Sequence, residues 1–214
     1  MNFKARQYHI SDDLKCAFID HILARWGGSV IIGHEMMYGS SEQFADLVLL
    51  HNGFTYAIEI KSNADSLYRI DNQIKAYRKV FNYVIVVCGE RYKTHLKQSL
   101  PLGVGIVEIN HDLIVKTIRR PKRETSNLDK KEMLYSIRTS YLARKADFPI
   151  KHRSAFEIRA MFENKRASYI QAILYEYWSL KLGPAYDCFI SNRGGQTLPN
   201  DLASFATLRV VPNA

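Results

Sequence analysis

The chain has 214 residues, 47% apolar and 24% charged, values ordinary for a globular protein able to bury one sizeable core. It has no run of 18 apolar residues and no CxxC among its three cysteines, which excludes a membrane-spanning helix, a zinc knuckle and a disulfide framework. The formal charge of +9 is uneven: Lys116 to Arg166 holds 15 Lys and Arg against 6 Asp and Glu, and the remainder balances at 15 of each.

The opening residues MNFKARQYHISDD lack the apolar core of a signal peptide, so a cytoplasmic protein is expected. Ser11 followed by Asp12 and Asp13 is a helix start, and Leu14, Ala17, Phe18, Ile22 and Trp26 fall at helical spacing before Gly27-Gly28. Ser29 to Met37 reads as a short buried strand ending near His34 and Glu35. His34 is expected to be structural, whereas Glu35 is equally a strand-end acid or a third carboxylate for a site.

The most informative stretch runs from Phe44 to Tyr77. Asn52-Gly53 between two β-prone runs predicts a two-residue hairpin, with His51 paired to Phe54. Counting outward places Asp46 across from Glu59, and strand alternation puts Lys61 on the same face. Two carboxylates about 5 Å apart repel by roughly 3 kcal/mol at an effective dielectric of about 20, so a cation between them is expected. The opposite face carries Leu47, Leu49, Tyr56, Ile58 and Ile60, which makes this a central strand pair.

Leu67 to Phe81 follows as a helix, with Gln73 and Tyr77 one turn apart on one face. Tyr83 to Cys88 is a continuous buried strand, giving a parallel crossover from the hairpin. Pro101 to Ile109 and Asp112 to Ile118 are two further strands at the sheet's edge. The stretch from Arg119 to Lys131 (RRPKRETSNLDKK) has no apolar period and marks a boundary. Helices are expected beyond it, over 130–145 and over 155–182; the second is interrupted near Lys165 to Ser168 and stopped by Gly183-Pro184.

Asp46, Glu59-Ile60-Lys61 and the Gln73-x-x-x-Tyr77 element, in that order, resemble the PD-(D/E)xK nuclease superfamily, and the last is similar to its RecB-like exonuclease branch. The string EIKSNADSLYRIDNQIKAY, with Asp65, Leu67 and Arg69, is similar to small bacterial proteins of uncharacterised function found around phage and mobile elements. The resemblance covers roughly Ser29 to Glu108, and Ala45 stands where the superfamily name has proline. It implies an α/β restriction-endonuclease-like fold, a central mixed sheet flanked by helices, over residues 1–120. Residues 121–214 would form a basic helical accessory lobe.

The same resemblance implies an Mg2+- or Mn2+-dependent nuclease. Asp46, Glu59 and the Ile60 carbonyl would ligate the metal, with Glu35 as an additional upstream acid. Lys61 would orient the attacking water, and Gln73 and Tyr77 would position the ligands or the phosphate. Arg69, Arg119, Arg120, Lys122 and Arg123 are the candidate contacts to nucleic acid, DNA being the expected partner. A non-catalytic nucleic-acid or protein-binding module on the same fold, in a phage or defence setting, is the competing expectation. No GxxxxGK[ST] motif occurs, so no ATP-driven activity is encoded.

Overall fold

The computed structural model describes residues 11–205. A helix α1 (Ser11–Trp26) and a short 3-10 turn lead into β1 (Val30–Tyr38), β2 (Gln43–His51) and β3 (Phe54–Lys61). Then come α2 (Ile70–Val80), β4 (Tyr83–Gly89), α3 (Lys93–Ser99), β5 (Gly105–Ile109) and β6 (Val115–Arg119). Five helices complete the chain: α4 (Lys130–Tyr135), α5 (Thr139–Lys145), α6 (Ala155–Glu163), α7 (Ala167–Asn192) and α8 (Pro199–Phe205).

The six strands form one mixed sheet in the order of the sequence. β1, β2 and β3 are antiparallel, β3, β4 and β5 run parallel, and β6 returns antiparallel. Asn52 and Gly53 both take positive φ, 50° and 78°, the signature of a type I′ turn, and His51 pairs with Phe54. Strand alternation then sorts the side chains. Val48, Ala57, Val84 and Val86 face a core formed with α2 and the C-terminal helices. Leu47, Leu49, Ile58 and Ile60 face a second core under α1. Because both faces are covered, the strands read as nearly continuous apolar runs.

Three expectations are corrected here. Residues after 121 do not form a separate lobe: Met133, Leu142, Phe162 and Trp178 share one core with Met36, Val48 and Tyr77 of the sheet and α2. The segment 130–145 is two helices, because the chain turns at Ser136, whose hydroxyl donates back to the Glu132 carbonyl. Gly183-Pro184 does not stop α7, which continues to Asn192 with Pro184 inside it.

The sheet explains why that proline is tolerated. Leu182 sits in the core on one face of the sheet, whereas Tyr186 and Phe189 sit in the core on the other. α7 therefore wraps the open edge at β1, and Leu182 comes so close to Gly33 that a Cβ there would lie 2.8 Å from its Cδ2. The carbonyl that loses its partner belongs to Leu180, a residue 63% exposed, so water can replace the missing bond. Apolar anchoring on both sides outweighs the local break, and the helix protects an otherwise open strand edge. The α3 helix has only Leu96 buried, too little apolar pattern to be expected from sequence.

A candidate two-carboxylate site at the end of the hairpin

The parallel strands β3, β4 and β5 end on the same side of the molecule, and Glu59 and Lys61 stand at that end of β3. Glu59 is 1% exposed and Lys61 8% exposed. Such burial of charge requires partners. Lys61 Nζ lies 2.8 Å from Glu59 Oε1, and the Tyr77 hydroxyl donates a short hydrogen bond to Glu59 Oε2. The spacing that put Tyr77 on the inner face of α2 thus delivers its hydroxyl to β3. Burial, followed by the charges of Glu59 and Asp46, holds the Tyr77 phenol well above its ordinary pKa, so it remains a donor.

Asp46 is near this pair but not directly opposite Glu59, as counting from the turn predicts. The β2–β3 ladder ends at Leu47–Ile58, and Asp46 Oδ2 instead accepts the Ile60 N–H at 2.7 Å. On its other side, β1 pairs His34 with Leu47 and then Met36 with Ala45, so Glu35 and Asp46 both fall out of the ladder. Glu35 takes a φ of 47°, a left-handed conformation costing a non-glycine residue about 1–2 kcal/mol. Backbone strain of this kind concentrates at functional sites.

The Asp46 carboxyl is pushed up to about 6 by burial and then by the Glu59 charge, against the pull of the Ile60 N–H, Lys15 and Lys61. The Asp46 carboxyl thus feels the Glu59 charge, which Lys15 and Lys61 offset only in part. Lys15, which nothing in the sequence pattern marks, is a further cation here. It comes from α1, is 6% exposed, and places Nζ 3.2 Å from His34 Nε2 and 3.3 Å from Asp12. Burial and then Lys15 lower the His34 pKa, so its imidazole is a neutral acceptor for that ammonium.

Glu35 does not join the carboxylate pair. Its side chain is 60% exposed and turns toward Lys15 and His34 at 3.8 Å, because the left-handed φ swings it out of the strand. Gln73 lies one turn from Tyr77, and its Oε1 is buried without a hydrogen-bond partner. The loop after Lys61 is held by Asp65. Although partial burial raises its carboxyl, hydrogen bonds from Ser62 and Ser11 outweigh that and hold it below the usual carboxylate range. This loop presents Tyr68, 93% exposed, and the exposed Arg69, the residue before α2.

The expected basic contacts are mostly elsewhere. Arg119 spends its guanidinium on the carbonyls of Val104, Leu100 and Pro101, so it braces the loop before β5. Arg123 lies 4.7 Å over the Phe54 ring, at the start of β3. Seven residues separate Phe54 from Lys61, about 23 Å along a strand. Arg123 is therefore at the wrong end of β3 to hold a phosphate at Glu59, and Arg119, which shares the register row of Glu59 through Ile106 and Val86, lies three strands away with its guanidinium committed to backbone carbonyls. Among the remaining cations of this segment, Lys145 pairs with Glu176 and Lys165 with Asp147.

Oxygen donors suit a hard divalent cation. The Asp46 carboxyl, pushed up by burial and then by the Glu59 charge, fits such an ion. Among the described residues no group of three or more His, Cys, Asp or Glu side chains forms a metal cage.

Fold and site together define an α/β protein with a mixed six-stranded sheet, a helical C-terminal region and a two-carboxylate–lysine cluster at the hairpin's end. The chain belongs to the Bacteriophage P4 protein cII family, whose model matches residues 4–206. Protein cII of Enterobacteria phage P4 is 33% identical over 99 residues, 45% of this chain and 37% of that protein, so the match spans little more than a third of the relative's length. A protein of unknown function from Silicibacter pomeroyi, SPO1766, aligns with a TM-score of 0.44 and 16% identity over 65% of this chain and 90% of its own. The chain is thus phage-related.

Proposed function

We propose that this protein is a divalent-cation-dependent nuclease that hydrolyses phosphodiester bonds, with DNA as the first substrate to test. The observation that carries the reading is the convergence of Asp46, Glu59, Lys61 and Tyr77 at one end of β3. Asp46, Glu59 and the Ile60 carbonyl would hold Mg2+ or Mn2+, which when bound makes water more acidic and offsets charge on the phosphoryl oxygens.

The chain's own groups have separate tasks. The Tyr77 hydroxyl fixes one Glu59 oxygen and Lys61 the other, so the carboxylate cannot rotate away as charge changes nearby. The buried Lys61 side chain would place its amino group where charge develops on a bound phosphate. The Ile60 N–H orients Asp46, and Gln73 Oε1 is free to accept a hydrogen bond from a positioned water. Tyr68 offers a ring for stacking and Arg69 a charge for a phosphate next to the scissile one.

Cleavage of labelled single- and double-stranded DNA with and without chelator tests the reading. Lys61→Ala should lower the rate at least about 100-fold, the usual loss for one transition-state donor, and leave DNA binding within a few-fold. Metal-independent cleavage, or a fully active Lys61→Ala protein, would contradict it.

One observation favours a non-catalytic binding module instead: both Glu59 oxygens already have partners, so the network is satisfied without a cation. Calorimetry with Mn2+ separates the readings. Heat that disappears in Asp46→Asn supports the nuclease, and no heat in the unmodified protein supports the module.

A further inference from the structure

A cavity of about 240 Å3 lies on the other face of the sheet from Asp46 and toward its other end, between α1 and strands β3 to β6. One wall is aromatic. Tyr56 and Tyr83, on paired strands, stack on one another with rings 4.6 Å apart and 14° from parallel, and Trp26, itself stacked on His51, closes on Tyr56 at 5.3 Å. The rim is cationic, formed by Arg25, Arg119 and Arg120, and no carboxylate lines the cavity.

Among the described residues, no carboxylate pairs with that positive charge. Arg25 and Arg120 form no ion pair among the described residues. The partners of Arg119 are neutral carbonyls, which hold its guanidinium in place and leave its charge unbalanced. Burial and then the neighbouring Tyr83 push the Tyr56 phenol up to about 12, so it adds a neutral hydroxyl and no negative charge. The volume is slightly below the ~300 Å3 of the smallest drug-sized pockets, so one planar ring system fits and a charged group would remain at the rim.

We propose that this cavity binds a nucleotide, its base against Tyr56, Tyr83 and Trp26 and its phosphate against Arg25 and Arg120. A flat ring joined to an anion matches the aromatic wall and the arginine rim at the same time. A carboxylate lipid would use the rim but not the wall, and a bare phosphate would leave the aromatic wall empty. The site is separate from the Asp46–Glu59 cluster and does not depend on that cluster being catalytic. A free mononucleotide and the terminal nucleotide of a strand offer the same chemistry.

Calorimetry with adenosine 5′-monophosphate on the full chain tests this, with adenosine and inorganic phosphate as partial probes. The expected result is saturable AMP binding at least tenfold tighter than either partial probe, weakened at least fivefold by Arg25→Ala and by Arg120→Ala. Both arginines are exposed, so each variant should keep the unmodified melting temperature. Glu59→Gln, on the opposite face, should bind AMP unchanged. A 5′-phosphorylated tetranucleotide binding as tightly as AMP identifies strand ends as the source; tenfold weaker binding identifies free nucleotide, and either outcome upholds the site. Absence of AMP binding at millimolar concentration, phosphate binding as tightly as AMP, or an unchanged affinity in the Arg25→Ala/Arg120→Ala double variant would overturn it.

Discussion

Asp46 bears the electrostatic cost of this site. Its carboxyl is shifted from 3.8 to about 6, so the folded chain holds that proton more tightly than the unfolded chain does. Its contribution to stability is therefore full below about 3.8 and is lost as pH rises through 6. The catalytic requirement runs the other way, since a ligand or base must be ionised. Cleavage should rise with pH through a midpoint near 6, and saturating Mg2+ should move that midpoint down. Asp46→Asn keeps an acceptor for the Ile60 N–H and removes the repulsion with Glu59. It should gain about 1–3 kcal/mol at pH 7, several degrees in melting temperature, while losing cleavage. An Asn variant that melts lower would contradict this account of the residue. Asp46, Glu59, Lys61 and Tyr77 were legible because strand alternation and the helical i,i+4 repeat fix side-chain direction. Lys15 was not, because its position depends on how α1 docks and not on any local spacing.

At the scale of elements, the tightest packing constraint on the site is a close approach and not a carboxylate. A Cβ on Gly89, at the end of β4, would collide with the side chain of Asn63 and lie 3.1 Å from the Asn63 backbone nitrogen. Asn63 is in turn held by the Arg91 N–H at 3.1 Å. Gly89→Ala should therefore displace the loop that carries Ser62, Asp65 and Arg69, at a stability cost of about 1–3 kcal/mol for overpacking. Cleavage should fall by more than that loss of folded protein accounts for, which activity per folded molecule, measured well below the melting temperature, would reveal. The strands and the Asn52-Gly53 turn follow from alternation and turn chemistry, so they were readable locally. The passage of α7 through Pro184 was not, because Leu182 and Phe189 anchor it on opposite faces of a sheet formed 130 or so residues earlier in the chain.

For the whole molecule, composition misleads in an instructive way. The concentration of charge after residue 116 suggests an autonomous basic lobe, yet Trp178, Phe162 and Met133 complete the core over β1, β2 and α2. A fragment of residues 1–120 should consequently fail to fold, giving no cooperative melting transition and rapid proteolysis; a stable fragment would restore the lobe. Charge along a sequence does not reveal where the sheet will carry it: Arg123 finishes over Phe54, at the far end of β3 from Glu59, and Arg119 is spent on backbone carbonyls three strands away. The central claim is that the hairpin's carboxylates perform metal-dependent phosphodiester hydrolysis. Single-turnover cleavage of a DNA oligonucleotide in Mg2+ by the unmodified protein and by folded Glu59→Gln tests it most directly. The account predicts cleavage that chelation abolishes and a loss of at least about 100-fold in Glu59→Gln. Equal rates for the two proteins, or no cleavage by the unmodified protein in either Mg2+ or Mn2+, would contradict it.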